Sequence, residues 1–229
     1  MPTNAPPGKS PKGITILPCK SRPELRRFEG CGEDVLRDAP QFVPPIPGSI
    51  AETFLPGSPF LKSGGELAPF LALRDGRPVG RIAAIRNRLH NDYHGDRIGF
   101  FGFFDFADEE VAGALFSAAA EWLKARGLDA ARGPYSPSIN DVCGLLSEGF
   151  DDPPFVFMPW NPPRYADAYR KLGLAEVRRL YAFRMDMTVP ANPVMTRLAE
   201  RAQAKSGLTT RPLRVNDLDN ELRILQRLY

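Results

Sequence analysis

The stretch Phe70–His90, "FLALRDGRPVGRIAAIRNRLH", carries a strong local structural signal. Two runs rich in apolar residues flank Asp75 and Gly76. Asp-Gly readily supplies the positive φ angles that a two-residue hairpin turn requires. The sequence therefore predicts two antiparallel strands joined by a tight turn.

The stretch that follows the hairpin, Arg88–Phe106, reads "RLHNDYHGDRIGFFGFFDF" and contains the two histidines of the chain, His90 and His94. Turn-forming residues between Asn91 and Asp96 interrupt the apolar pattern and predict a turn. Substrate contact or catalysis is the alternative role for the histidines. A metal site would need a rigid element and further ligands, and the Asn-Asp and His-Gly steps disfavour a helix that would align the two rings.

The pattern resumes in "RIGFFGFFDF", where four phenylalanines surround Gly99 and Gly102 without leaving a polar face. Such a run is typical of a strand buried on both sides. An acyl-chain tunnel is the functional alternative for these side chains. The four residues are Phe100, Phe101, Phe103 and Phe104.

A helix is predicted from Asp108 to Arg126, in "ADEEVAGALFSAAAEWLKARG". Acidic residues begin it, basic residues end it, and Gly127 follows, as the helix dipole and C-capping favour. Its apolar residues recur at helical spacing. The predicted buried stripe is Val111, Leu115, Ala118, Ala119 and Trp122.

Other elements are assigned around this centre. A strand is predicted at 14–19, then a helix with Ser21 or Arg22 at its cap and Pro23 in its first turn. Residues 39–69 hold so many Pro and Gly residues that we predict a long loop, which could form a wall of a substrate groove. After the central helix we predict a strand at 128–135, an irregular aromatic-rich segment, a helix at 164–173 and an alternating strand at 174–187.

Composition narrows the function classes. The 229 residues carry a net charge of +3 and no Lys/Arg-rich run, which argues against nucleic-acid binding. Cys19, Cys31 and Cys143 are odd in number and lack CxxC spacing, which argues against disulfides and a zinc site. No signal sequence or long apolar run is present, so we expect a cytoplasmic protein, with peripheral contact to the inner membrane left open.

The order of elements resembles the GNAT fold of the acyl-CoA N-acyltransferase superfamily. Three phrases, "GRPVGRIAAIRNRLHNDYHGDRIGFFGFF", "GPYSPSINDVCGLL" and "MPWNPPRYADAYRKLGL", resemble a bacterial GNAT-like family that has been associated with N-acylating long-chain bases, as bacterial ceramide synthases. The resemblance covers 14–187. It implies an α/β (α+β) fold, a mixed and mostly antiparallel twisted sheet flanked by helices, with acyl-CoA as co-substrate and an amine as acceptor.

The sequence departs from that family at the start of the central helix. In GNAT enzymes the coenzyme A pyrophosphate binds backbone N–H groups there. Here the acids Asp105, Asp108, Glu109 and Glu110 surround the same position, and like charges at about 5 Å repel by a few kcal/mol near the surface. We therefore expect no cofactor in this half of the protein.

An internal echo suggests a second half. Residues 208–229 repeat features of the stretch that begins at Ile14, including Glu-Leu-Arg at 24–26 and again at 221–223. We predict a disordered tail at 1–13, a GNAT-like domain at 14–190, and a linker plus the start of a second, incomplete half at 191–229. A truncated tandem is the expected architecture, and its oligomeric state is not predicted.

The acceptor site is assigned to the polar cluster in "GPYSPSINDVCG", with the two histidines as further candidates. The candidates are Tyr135, Ser138, Asn140, Asp141, His90 and His94. Asn140 and Asp141 would otherwise cap a turn. Cys143 is a poor nucleophile because only the turn histidines could activate it. The resemblance implies an N-acyltransferase, and a non-catalytic, degenerate or truncated module that serves as a scaffold is the alternative.

Overall fold

The computed structural model describes residues 13–184, 186, 188–190, 192–207, 209 and 211–228. The chain separates into two compact units, Met1–Leu180 and Tyr181–Tyr229. The predicted tail at 1–13 lies outside the described residues except for Gly13. The predicted domain bounds at 14–190 and 191–229 stay predictions.

A five-stranded sheet forms the centre of the first unit. Its strands are β1 Ile14–Pro18, β2 Glu66–Arg74, β3 Arg77–Arg86, β4 Ile98–Phe106 and β5 Ala130–Arg132. They lie side by side in sequence order. The first three pairings are antiparallel and β4 pairs with β5 in parallel. This confirms the predicted α/β (α+β) class with a mixed, mostly antiparallel sheet flanked by helices.

The hairpin turn has the predicted conformation. Asp75 and Gly76 join β2 to β3 with φ angles of 52° and 77°. Positive φ at both central residues gives the turn a twist that matches the right-handed twist of the two strands.

The remaining elements follow in chain order. The helices are α1 Arg22–Leu36, α2 Ser49–Thr53, α3 Pro59–Lys62, α4 Arg88–His94, α5 Glu109–Lys124, α6 Arg164–Lys171, α7 Pro193–Ser206 and α8 Leu218–Leu228. Two short strands, β6 Tyr135–Ser136 and β7 Val142–Cys143, pair with each other. The helix α1 begins with a capping box between Ser21 and Glu24, and α5 begins at the cap Asp108, as the sequence indicated.

Two cores lie on opposite faces of the sheet. Ile82 and Ala84 of β3 face the cluster that contains α5 and α6, whereas Ala83 and Ile85 face the cluster that contains α1. The β4 phenylalanines divide between the same clusters and are buried. The prediction that these side chains form core is confirmed.

A β-bulge in β4 explains how they divide. Between the pairs Ala83↔Gly102 and Arg81↔Asp105, β4 has one residue more than β3. Phe103 takes up the extra length with a φ of 49°, which is rare for a residue with a side chain. Phe101 and Phe104 therefore share one face although they are three residues apart.

The long loop at 39–69 is only partly as predicted. It contains the short helices α2 and α3, and β2 already begins at Glu66. Gly48 caps α2 with a φ of 89°, and Pro59 begins α3. Proline and glycine limited the length of these helices without preventing them.

The turn predicted around His90 and His94 is wrong, because Arg88–His94 forms α4. The Asn87 side chain accepts the His90 N–H at 3.1 Å, and Gly95 ends the helix with a φ of 63°. Asparagine and glycine act here as N-cap and C-cap, so the turn formers mark the ends of a short helix.

The strand predicted at 174–187 is also wrong where the structure describes it. Residues 174–184 pair with no strand among the described residues. The side chains of Val177 and Phe183 are 72% and 91% exposed. Alternation specifies two faces of a strand but supplies no backbone partner, and without one the segment stays irregular.

Gly102 lies where β6 passes directly over β4. A Cβ atom at this position would lie 1.4 Å from the Tyr135 carbonyl oxygen. We expect Gly102→Ala to lower the free energy of unfolding by about 3 kcal/mol in urea denaturation, because the backbone must move.

Gly113→Ala is the matched control for this variant. A Cβ atom added at Gly113 would have no neighbouring element within 4 Å. Because alanine favours the helix more than glycine, Gly113→Ala should raise the free energy of unfolding by up to about 1 kcal/mol. Equal denaturation midpoints for the two variants would contradict the close approach at Gly102.

Candidate functional site

The helix α4 presents a histidine pair beside an acid. The His90 and His94 rings lie on neighbouring turns with centroids 4.3 Å apart. The His90 Nε2 atom lies 3.2 Å from Asp96 Oδ2, just after the helix ends. The helix that sequence reasoning rejected is therefore what brings these groups together.

Asp96 is held as a carboxylate. The Asn91 side chain donates to Asp96 Oδ1 at 2.8 Å, and the Ile98 N–H donates at 3.4 Å. The Asn91 hydrogen bond, followed by that of the Ile98 N–H, holds the pKa of Asp96 below its usual value. A carboxylate can only accept, so His90 donates Nε2–H to Asp96, and its Nδ1 keeps a lone pair for proton transfer.

The strand β6, Tyr135–Ser136, crosses β4 at Gly102 and places Tyr135 close to the histidine pair; we call it the crossing segment. Phe103 N–H in the bulge donates to Ser136 Oγ at 3.0 Å, which fixes β6 against β4. The Tyr135 ring packs edge-on against Phe100 at 5.2 Å, and Phe100 packs against His90 at 4.9 Å. Aromatic contacts thus connect the crossing segment to α4.

Ser138 is oriented by Asp141. The Ser138 hydroxyl donates to Asp141 Oδ2 at 2.6 Å, and the Ser138 N–H donates to the same oxygen at 3.2 Å. Asn140 N–H in turn donates to Ser138 Oγ at 3.2 Å. The turn-capping alternative therefore describes Asp141, whose carboxylate is occupied within its own loop.

Two adjoining cavities are lined by most of the candidate residues. Asn87, His90 and Ser138 line both of them. One cavity of about 650 Å³ is also lined by Phe60, Ser63, Leu89, Tyr93 and Asn140. The other, of about 550 Å³, is also lined by His94, Asp96, Phe100, Arg132, Tyr135, Pro137, Ile139, Val177 and Arg178. We call the pair the double cavity.

The structure brings together five of the six sequence candidates at the double cavity: His90, His94, Tyr135, Ser138 and Asn140. Asp141 contributes only through Ser138. Phe60 and Ser63 from the long loop line one of the cavities, and the substrate groove expected there stays a prediction. Sequence reasoning missed the remaining polar residues, Asn87, Asp96, Arg132 and Arg178. Asn87 could have been found as the cap of α4, whereas no local signal marks the two arginines.

Cys143 does not have the character of a nucleophile. Burial, together with the nearby Asp141 charge, raises the pKa of its thiol. A raised pKa lowers the thiolate fraction, which agrees with the sequence-based interpretation.

The acids at the start of α5 are paired rather than crowded. Asp105 lies in β4 and pairs with Arg81 at 2.7 Å. Arg74 pairs with Asp108 at 2.7 Å and with Glu110 at 3.6 Å. Glu109 pairs with Lys171 at 2.6 Å. The repulsion expected from the sequence is therefore largely compensated.

Asp108 nevertheless occupies the end of α5 with its own carboxylate. It accepts the Val111 N–H at 3.0 Å as well as the Arg74 guanidinium. The Arg74 hydrogen bond, then the backbone N–H groups, hold the pKa of Asp108 below its usual value. An internal anion thus uses the N–H donors that a bound phosphate would need.

Among the described residues, no group of three or more His, Cys, Asp or Glu side chains is arranged to hold a metal ion. None of the described helices has the length and apolarity needed to cross a membrane.

The Asp108 cap makes a pH-dependent contribution that can be measured. Asp108→Ala should lower the free energy of unfolding by about 1 kcal/mol at pH 7. Since the folded-state pKa is depressed, this contribution is complete above the ordinary value of about 3.9 and is lost as the pH falls through the folded value. Urea denaturation at pH 7 and at about pH 2.5 should show the difference from wild type shrinking with acid.

Glu109→Ala is the control for this experiment, because the Glu109–Lys171 pair is exposed on both sides. Its effect should stay within about 0.5 kcal/mol. An Asp108→Ala difference that grows with acid would contradict the assigned cap.

Relatives of the chain are found among known proteins, although no family model matches it. It is 32% identical to the bacterial ceramide synthase of Caulobacter vibrioides over 217 residues, 94% of this chain and 56% of that protein. It is 36% identical to protein YghO of Escherichia coli over 162 residues, 70% of this chain and 41% of that protein. The chain spans about half the length of these two relatives.

Solved structures are more distant. An aminoglycoside N-acetyltransferase in complex with CoA has a TM-score of 0.43 and 15% identity, with 77% of this chain and 99% of that chain covered. This likeness is too distant to indicate what the chain binds. The sequence relatives support the resemblance given by the three phrases, since this chain is similar to a bacterial ceramide synthase over 94% of its length.

Proposed function

We propose that this chain supplies the acceptor-binding part of an N-acyltransferase that moves an acyl group from acyl-CoA to an amine. The acceptor that its relationship to a ceramide synthase supports is a long-chain (sphingoid) base. The observation that carries the proposal is the His90–Asp96 pair at the junction of the double cavity. Histidine held by a carboxylate is the usual arrangement for a general base.

The chemistry assigns one step to His90. The amine nitrogen attacks the thioester carbonyl carbon and the carbon–sulfur bond breaks, so that an amide and a CoA thiolate form. His90 Nδ1 takes the proton that the amine loses and returns it to the thiolate, which leaves as the thiol. Asp96 keeps the ring in the required tautomer and stabilises the protonated imidazole between the two transfers.

The rest of the double cavity fits a long-chain amine. Phe60, Leu89 and Tyr93 provide apolar surface on one side of the junction, where an alkyl chain would lie. Ser138 and Asn87 line both sides of the junction and offer hydrogen bonds to hydroxyl groups of the acceptor. Apolar walls with a few placed polar groups are typical of small-molecule sites.

His90 can be tested in a chimera, because the chain matches half of the ceramide synthase. Residues 1–229 would replace the matched region of the Caulobacter vibrioides enzyme, and amide formation from acyl-CoA and sphinganine would be followed by thiol release and mass spectrometry. We expect product from the chimera and a rate about 100-fold to 10,000-fold lower for His90→Ala.

Asp92→Asn is the matched control, since Asp92 is exposed on the same helix and lines neither cavity. It should leave the rate unchanged. A chimera that melts like the parent enzyme yet forms no amide, or a fully active His90→Ala variant, would contradict the proposal.

A non-catalytic module is the second candidate, and the Asp108 cap favours it for this chain by itself. If the N–H groups of α5 are already occupied, CoA has no anion site there. Calorimetry of CoA with the 229-residue chain should show no saturable binding in the micromolar range. Micromolar binding would contradict the closed helix end and would assign donor binding to this chain.

A further inference from the structure

Two arginines at the double cavity are left unpaired by the described part of the chain. Arg132, at the end of β5, and Arg178, in the irregular segment after α6, line the side that also holds His94 and Tyr135. Neither guanidinium makes an ion pair or a hydrogen bond with any described residue. By contrast, eight of the described arginines in the same unit are paired with carboxylates.

The carboxylate on this side of the double cavity is already hydrogen-bonded. Asp96 is the carboxylate among its lining residues, and Asn91, His90 and the Ile98 N–H satisfy it. Two imidazoles and two guanidiniums therefore face a space of about 550 Å³ in which the described residues provide no free anion. Clustered arginines of this kind bind phosphate and carboxylate groups, for which the planar guanidinium offers paired donors.

We infer that Arg132 and Arg178 bind an anionic group, phosphate or carboxylate, that the amine acceptor carries close to its nitrogen. This inference rests on the proposed function and narrows its acceptor to an anionic long-chain amine. The two sides of the double cavity then receive the two ends of one molecule: the alkyl chain lies by Leu89 and Tyr93, the anion by the arginines, and the amine by His90 at the junction.

Binding of two lipids that differ only in the anion tests the inference. Sphinganine 1-phosphate and sphinganine would be titrated separately into the 229-residue chain in the same mild detergent. We expect the phosphate to bind at least about tenfold more tightly at low salt, and the preference to weaken as salt is raised.

Substitution of each arginine tests whether that residue causes the preference for the phosphate. Arg132→Gln and Arg178→Gln should each reduce the preference for the phosphate by about tenfold. Arg178 is exposed in an irregular segment, so its variant does not disturb the core. Arg37→Gln is the matched control, because Arg37 follows α1, pairs with Asp34 and lines neither cavity. It should keep the wild-type preference.

Three results would overturn the inference: equal affinity for the two lipids, a preference that survives in both arginine variants, or displacement of the lipid phosphate by CoA, which would make the donor the source of the anion. Because the readout is binding, it is independent of amide formation in the chimera. An active chimera with equal lipid binding would reject the anion site and leave the proposed function standing.

Discussion

The arrangement of this domain depends on the ion pair and hydrogen bonds that the Arg81 guanidinium makes. It pairs with Asp105 across β3 and β4 at 2.7 Å and donates to the carbonyl oxygens of Phe28 and Glu29 in α1 at 3.2 and 3.0 Å. The side chains of Arg81 and Asp105 are 7% and 13% exposed. Gly32 leaves room for the guanidinium, since a Cβ there would lie 2.2 Å from it. Removing one member of such a buried pair typically costs about 3–5 kcal/mol, because the other charge stays behind.

The same contacts extend to the candidate site. The Glu29 carboxylate accepts the N–H groups of Gly48 and Ile50 at 2.8 and 3.3 Å, so α1 also fixes the loop that supplies Phe60 to the double cavity. The Phe103 N–H in the bulge donates to Ser136 Oγ and thereby positions Tyr135, which lines the double cavity as well. Both walls are thus attached to the rest of the domain through hydrogen bonds that use otherwise unpaired backbone donors, which is a physical reason for a rigid site.

Two regions of this domain differ in whether their charged side chains are paired. At the start of α5 each acid is matched by a cation, and the helix end is closed by Asp108. At the double cavity the reverse holds, since Arg132 and Arg178 face open space without a described partner. The helix end thus offers few free N–H donors to an anion, whereas the two guanidiniums beside the histidines have no described counter-charge. This contrast supports the proposal that the chain binds the acceptor while the donor is bound elsewhere.

Local signals in the sequence determined the hairpin at Asp75-Gly76, the capped helices α1 and α5, and the buried phenylalanines of β4, because turn geometry, capping and burial act over a few residues. The same rules failed for α4, whose caps resemble a turn, and for 174–184, whose alternation lacks a partner strand. Only the tertiary structure decided that Arg132, Ser138 and Arg178 would line the same cavity as His90. They come from separate parts of the chain, and no local pattern encodes the β4 bulge or the close approach of Tyr135 to Gly102 that fix β6 beside β4.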